Sequence, residues 1–150
     1  MDIFLRYKPP RIAFLLITAT TAVWYMSPSG TVLYLPYIAI GGSSLLGGFM
    51  LMIWAWLQFR NVKTAIYPTA ETTVMITCGA YGISRNPMYF GIVLMLIGAA
   101  FLMGETMTVF APVTFFLIID KVFIPFEEEK MTKTFGDSYS DYQQRTRRWI

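Results

Sequence analysis

The sequence contains no histidine and a single cysteine, Cys78, among its 150 residues. One cysteine cannot form a disulfide within a chain, and the absence of histidine excludes the common zinc sites, so no metal is expected. Charged residues are also scarce, at 14% of the chain against about 25% in a typical soluble domain. Chemistry must therefore come from carboxylates, Arg, Lys, Tyr, Asn, backbone groups or a bound cofactor.

The small number of charges leaves a chain that is too apolar for water. Hydrophobic residues make up 55% of the sequence, and the net charge is only +3. The basic residues lie in scattered clusters rather than along one face, which does not favour binding to nucleic acid. The expected surroundings are membrane lipids.

Four long apolar runs predict four transmembrane helices, because a spanning helix needs about 20 residues, with a range of about 17–25. The helices are predicted at about 10–27, 32–59, 87–103 and 106–126. The adjacent charges Asp120 and Lys121 interrupt the last run near its end. The predicted fold class is all-α: a polytopic membrane protein with residues 1–150 in one membrane domain and short amphipathic helices at the C-terminus.

The basic residues predict the orientation of these helices. All 12 Lys and Arg residues lie before the first span, between the second and third, or at and after the end of the fourth. The positive-inside rule then places both termini, the loop 60–86 and the tail 127–150 in the cytoplasm, as expected for a bacterial inner-membrane protein. Ser27-Pro28-Ser29 is a poor cleavage site, so no cleaved signal peptide is expected.

The tail is predicted to form two short amphipathic helices. The first begins at Pro125, before three consecutive glutamates, and stops at Gly136. The second carries aromatic residues on one side and is expected to lie on anionic headgroups: Tyr139, Tyr142 and Trp149.

A run of small residues at 41–48 superficially resembles a nucleotide-binding loop. It lies within an apolar run with no strand before it, and small residues four apart permit close packing of helices in lipid. The pairs are Ser43 with Gly47 and Ser44 with Gly48. We therefore interpret the run as a helix-packing surface.

The segment from Gly79 to Gly91 is the most informative part of the chain. Asn86 and Pro87 suit the start of a helix, since Asn can cap free amides and Pro fits the first position. The helix N-terminus beside Arg85 would attract an anion such as a cofactor carboxylate, and Gly91 would let a ligand approach the backbone. The alternative is a capped helix with an Arg that reaches the membrane interface.

Glu127-Glu128-Glu129 directly follows the fourth span. These carboxylates could hold a cationic ligand or accept hydrogen bonds from ribose hydroxyls. The alternative is that they only complement a helix dipole.

The two segments are similar to those of a known family. The motif Gly-x-Tyr-x-x-x-Arg-Asn-Pro-Met-Tyr-x-Gly begins at Gly79, and an apolar hairpin follows it. Glu-Glu-x-x-Met-x-x-x-Phe-Gly-x-x-Tyr-x-x-Tyr begins at Glu127, and the chain closes with Arg-Trp-Ile. Over about 59–150, this order resembles the integral-membrane methyltransferases, which include isoprenylcysteine carboxyl methyltransferases and phospholipid N-methyltransferases.

The resemblance implies that S-adenosylmethionine is the cofactor and that Arg85, Tyr89 and Glu128 are catalytic. It implies a cofactor-binding set of Gly79, Tyr81, Arg85, Asn86, Pro87, Tyr89, Gly91, Glu127 and Glu128. Three positions depart from the usual family pattern: Asn86 stands where many members have His, Ala80 replaces Pro, and Gly82 replaces a basic residue.

The methyl acceptor is expected to be a lipid-like or prenylated molecule in the membrane. A carboxylate acceptor needs no general base, so the lack of histidine favours an isoprenylcysteine carboxyl methyltransferase-like activity. A phospholipid amine is the alternative acceptor, with Tyr89, Glu127 or Glu128 to take its proton. The third interpretation is a lipid-binding or scaffolding protein without catalytic activity.

Two contacts follow from the predicted topology. The short hairpin between the third and fourth spans should bring Tyr89 and Gly91 close to Glu127 and Glu128. An acidic group in a span is costly without a partner, so Asp120 should pair with Arg85 or face the cofactor pocket.

The orientation can be tested by cysteine labelling in a Cys78→Ser background. Gly30→Cys and Glu105→Cys should react with an impermeant maleimide on intact cells, whereas Lys63→Cys and Lys133→Cys should react only after lysis. Labelling of either lysine position on intact cells would contradict the topology.

Overall fold

The computed structural model describes residues 9–26, 35–62, 74–104 and 106–150; the first predicted outer turn and residues 63–73 of the loop 60–86 lie outside these ranges. All regular structure in the described residues is helical, which confirms the all-α class. The α-helices are α1 (Pro9–Met26), α2 (Leu35–Val62), α3 (Ala80–Ile83), α4 (Pro87–Met103), α5 (Phe110–Ile118), α6 (Ile124–Phe135) and α7 (Asp137–Arg145). A 3₁₀ turn, Thr106–Val109, leads into α5, and a π-helical segment, Ile119–Phe123, joins α5 to α6.

Two helical stretches are long and apolar enough to cross a membrane, Leu35–Arg60 and Thr106–Phe135. The helix Pro87–Met103 is apolar but shorter. Helix α1 begins and ends within one residue of the first predicted span. The four predicted apolar runs are thus helical wherever they are described, and two of them have the length and composition of a membrane span.

The last apolar helix continues well past its predicted end at 126. The chain is helical without a break from Thr106 to Phe135, so the first predicted tail helix is the end of this longer helix. The π-helical segment contains Asp120 and Lys121, and Pro125 lies in the first turn of α6. A π turn is wider than an α turn, which accommodates a proline ring that would otherwise meet the preceding turn. Gly136, with φ 53°, then ends α6 as predicted.

Helices α2 and α4 make the most extensive contact in the described chain, and glycine backbones form its centre. A Cβ atom added to Gly91 would lie 2.6 Å from the carbonyl oxygen of Gly48, and one added to Gly98 would lie 2.6 Å from that of Gly41. The Ser44 hydroxyl also donates a hydrogen bond to the Leu94 carbonyl at 2.9 Å. The small residues of α2 therefore serve helix packing, as predicted.

Of the two predicted pairs, Ser44 and Gly48 both contact α4, whereas Gly47 of the other pair does not. The contacting glycines of α2, Gly41 and Gly48, are seven residues apart, whereas Gly47 has nothing near its missing Cβ. Two turns of a helix return to nearly the same face, so spacing seven places both glycines against α4. Gly91 faces α2, so its lack of a side chain serves helix contact rather than the approach of a ligand.

The core lies where α1, α4 and α5 meet. Leu96, Phe115, Ile119, Phe123 and Ile124 are at most 2% exposed. The outer surface is also apolar, with large side chains exposed along α1, α2 and α5. Examples are Phe14, Tyr25, Met50, Phe110 and Leu117. An apolar exterior of this extent suits hydrocarbon rather than water.

The glycine contact gives a stability prediction with a matched control. Gly48→Leu should destabilise the fold by about 1–3 kcal/mol or more, because its side chain would meet the backbone of α4. The neighbouring Gly47→Leu should leave the stability unchanged or slightly higher, since that position is open and Leu favours helix.

Unfolding by titration with sodium dodecyl sulfate measures both variants. Gly91→Leu should behave like Gly48→Leu. Equal stability of Gly47→Leu and Gly48→Leu would contradict the observed packing.

Candidate functional site

A cavity of about 180 Å³ lies where α4 begins and α6 passes it; we call it the α4–α6 cavity. Several predicted site residues line it: Tyr81, Arg85, Asn86, Pro87, Tyr89 and Glu127. Gly79, Gly91 and Glu128, also predicted, do not line it. The sequence therefore located the cavity but not every residue that forms it.

Helix α4 begins at Pro87, as predicted, with Asn86 in the N-cap position. The Asn86 side chain makes no capping hydrogen bond, so that prediction is wrong. Its amide nitrogen Nδ2 instead donates to the Arg148 carbonyl at 2.9 Å, and its backbone N–H donates to the Ser84 hydroxyl at 3.1 Å. The Asn86 side chain thus bonds to a residue 62 positions away in the sequence instead of capping its own helix.

Tyr89 and Glu127 join α4 to α6 across the cavity. The Tyr89 hydroxyl donates a hydrogen bond to Glu127 Oε1 at 2.5 Å, and both residues are half-buried. The predicted closeness of these two residues is confirmed. The pair gives the cavity one carboxylate, held in place by a phenol on the opposite helix.

Glu128 points away from the cavity, into a cluster of charges. Its carboxylate lies 3.0 Å from Nη2 of Arg85 and 2.7 Å from Nη2 of Arg148. The Glu128 side chain is 15% exposed and that of Arg85 is 12% exposed. Neighbouring residues on a helix differ by about 100° around its axis. Glu127 and Glu128 therefore face different surroundings although they are adjacent in sequence.

Arg85 connects the charge cluster to the cavity, because its guanidinium contacts Glu128 and the residue also lines the cavity. Its Nε–H is buried and has no hydrogen-bond partner in the described part of the chain. An unsatisfied buried donor is costly.

Three tyrosines form much of the remaining polar wall. Tyr81, Tyr139 and Tyr142 are buried and line the cavity, and the Tyr142 hydroxyl donates to the Tyr81 carbonyl at 2.6 Å. Burial, then the charge of Glu128, raises the pKa of Tyr139 to about 12. Burial also raises the pKa values of Tyr81 and Tyr142. All three hydroxyls therefore stay neutral near pH 7.

The burial of Tyr139 and Tyr142 contradicts the predicted location on lipid headgroups. Each is 4% exposed, because α7 folds its aromatic side onto the cavity. The signal for this was present in the sequence: tyrosines three apart share one face of a helix, and a buried face is as good an explanation as an interfacial one.

Gly79 lies in the turn before α3, with φ 60°. The Gln58 side chain occupies the space next to it: its Oε1 accepts the Ala80 N–H at 3.1 Å, and its Nε2 donates to the Cys78 carbonyl at 3.0 Å. A side chain at 79 would collide with Gln58. In the structure Gly79 therefore shapes the turn that carries Tyr81.

Asp120 pairs with Arg148 rather than with Arg85, so the prediction named the wrong arginine. Its Oδ1 accepts the Trp149 indole N–H at 3.0 Å and lies 3.5 Å from Nη1 of Arg148. Its Oδ2 lies 2.9 Å from the Lys121 ammonium. Asp120 thus has partners, as predicted, and Arg148 and Trp149 supply two of them.

The cavity has groups that match the polar parts of S-adenosylmethionine. The positive charge of Arg85 suits a carboxylate, and tyrosine rings with the Glu127 carboxylate suit a cationic sulfonium. A volume of about 180 Å³ holds part of such a molecule.

Comparison with known proteins gives a relative and a family. An uncharacterized protein of Haemophilus influenzae is 32% identical over 63 residues, which are 42% of this chain and the whole of that protein. No solved structure matches significantly. A profile described as phospholipid methyltransferase matches residues 36–138, which run from α2 into α7 and include Arg85, Tyr89 and Glu127. The chain belongs to the phospholipid methyltransferase family.

Proposed function

We propose that this protein transfers a methyl group from S-adenosylmethionine to a lipid-like acceptor in the membrane. The observation that carries the proposal is the α4–α6 cavity, which is lined by the cationic residue Arg85 and by the Glu127 carboxylate that Tyr89 holds. Family membership supports the methyltransferase class.

The protein is proposed to cross the membrane four times with both termini in the cytoplasm. Its apolar exterior and the two long apolar helices support membrane insertion. The positions of its 12 basic residues support the orientation. The cavity then lies at the cytoplasmic end of the bundle, where both a soluble cofactor and a lipid headgroup can reach it.

Each wall of the cavity has a role in this reaction. When bound, S-adenosylmethionine supplies a methyl group on a positively charged sulfur, ready for displacement. Arg85 binds and orients the cofactor carboxylate, and the neutral tyrosines provide π-faces for positive charge. The apolar wall, with Phe59 and Ile92, excludes water and aligns the reacting groups.

The acceptor we favour is the amine of a phospholipid headgroup. An ammonium group must lose a proton before its nitrogen can attack a methyl group, and Glu127 is a carboxylate on the cavity that can take it. The nitrogen–carbon bond then forms as the carbon–sulfur bond breaks, and the bonding pair stays on sulfur. Glu127 would repel a carboxylate acceptor, which outweighs the argument from the missing histidine.

The carboxyl group of an isoprenylated cysteine is the second candidate. Arg85 favours it, because its guanidinium lines the same cavity and would attract a carboxylate acceptor.

Arg85→Gln should weaken the binding of S-adenosylhomocysteine about ten- to hundred-fold, the loss of one charge-assisted hydrogen bond of about 1.5–3 kcal/mol. Calorimetry in detergent measures the affinity. Lys133→Gln is the control, because Lys133 pairs with Glu129 on the exposed side of α6. Equal binding in both variants would contradict the assigned role of Arg85.

Glu127→Gln should lower the rate of amine methylation about 10²–10⁴-fold, the usual contribution of a general base. Glu129→Gln is the matched control, two residues along the same helix and exposed. The assay supplies labelled cofactor with ethanolamine phospholipid or with a farnesylcysteine analogue.

The form of the product separates the candidates. Label that stays on nitrogen after alkaline treatment indicates an amine, whereas label released as methanol indicates a carboxyl ester. Ester formation that Glu127→Gln leaves unaffected would favour the second candidate. Cofactor binding without transfer to either acceptor would contradict both.

A further inference from the structure

We infer that Arg148 is a positioning residue that holds Glu128 and, through it, orients Arg85 at the cofactor site. The inference rests on the proposed function and extends it to residues beyond the matched family region, which ends at 138. The chain of contacts is Asp120, Arg148, Glu128 and Arg85, in that order.

The backbone first fixes where Arg148 lies. After α7, the carbonyl of Arg147 accepts the Arg85 N–H at 2.9 Å. The carbonyl of Arg148 accepts Nδ2 of Asn86 at 2.9 Å and the Ser84 hydroxyl at 3.4 Å. The final segment therefore lies against the turn that leads into α4. These acceptors are backbone atoms, so a substitution of the Arg148 side chain leaves them in place.

The Arg148 side chain then bridges two carboxylates. Its Nη2 and Nε lie 2.7 and 3.3 Å from the two oxygens of Glu128, while its Nη1 lies 3.5 Å from Asp120. A forked contact of this kind fixes the plane of a carboxylate as well as its position. Glu128 is thereby held in one orientation.

The π-helical segment makes this bridge possible. Asp120 and Glu128 are eight residues apart, and in an unbroken α-helix they would differ by about 80° around the axis. The wider turns between Ile119 and Phe123 rotate less per residue, which brings the two side chains toward one face. One guanidinium can then contact both.

The end of the chain is anchored beyond Arg148 as well. The Trp149 indole donates to Asp120 at 3.0 Å and packs on Phe116, with ring centroids 4.8 Å apart. These contacts keep the segment in place when the Arg148 guanidinium is removed.

The consequence for Arg85 follows from charge. Glu128 faces two guanidinium groups, so Arg148 takes part of its negative charge and Arg85 does not neutralise it alone. Without Arg148, the carboxylate is free to rotate and pairs with Arg85 only. Arg85 then loses its fixed orientation at the wall of the cavity.

Three variants test this. Arg148→Gln should weaken S-adenosylhomocysteine binding about ten-fold, within the range of coupling energies between contacting groups. Arg148→Lys keeps the charge but not the fork and should restore part of the affinity. Arg147→Gln is the control, because its side chain is exposed and its contribution is a backbone carbonyl.

A double variant shows whether the effect passes through Glu128. If it does, the double variant Arg148→Gln with Glu128→Gln should bind S-adenosylhomocysteine no more weakly than whichever single variant has the lower affinity. Additive losses would overturn the inference, because they would mean that Arg148 acts independently of Glu128.

A readout without cofactor separates this inference from the proposed function. Hydrogen exchange in the cofactor-free protein should speed up at residues 84–90 in Arg148→Gln, with no change at residues 91–100 or in Arg147→Gln. Unchanged exchange at residues 84–90 would overturn the positioning role, and faster exchange throughout would indicate general destabilisation instead. Failure of the unaltered protein to bind S-adenosylhomocysteine would refute the proposed function, whatever the exchange shows.

Discussion

The backbones of α2 and α4 touch at two pairs of glycines, and the position of the cavity depends on that contact. Gly91 lies against Gly48 only two residues after Tyr89, so the start of α4 cannot move relative to α2. The end of α2 in turn supplies Phe59, whose ring meets that of Tyr81 edge-on with centroids 5.3 Å apart. Because backbone atoms lie at the centre of the contact, little adjustment is possible there.

The neighbouring carboxylates of α6, Glu127 and Glu128, have different roles at the site. Glu127 faces the cavity and is held by one neutral phenol, whereas Glu128 faces two arginines. Of these two carboxylates, Glu127 lines the cavity and Glu128 does not. In the proposed reaction Glu127 is therefore the base, and Glu128 belongs to the support of Arg85.

Much of the fold was readable from the sequence because its signals are local. Pro87 and Gly136 mark helix ends through their own backbone preferences, and both positions were predicted. The pairing of Tyr89 with Glu127 followed from one short hairpin.

The errors concern contacts between distant parts of the chain. Asn86 was expected to cap its own helix, but the Arg148 carbonyl competes for its side chain. Arg85 was predicted as the partner of Asp120 instead of Arg148, because nothing in the local sequence pattern places residues 146–150 beside Asp120. The π-helical segment has no signature in hydrophobic periodicity, so the alignment of Asp120 with Glu128 was not predictable.

The unbroken helix from Thr106 to Phe135 has a mechanical consequence. Its first half carries exposed apolar side chains such as Phe110 and Leu117, and its second half carries the site carboxylates. A spanning helix adjusts its tilt to match the thickness of the bilayer. If the first half spans a membrane, as proposed, a change in its tilt would move Glu127 relative to Tyr89, because no loop separates the halves. The thickness of the surrounding bilayer would then be coupled to the geometry of the site.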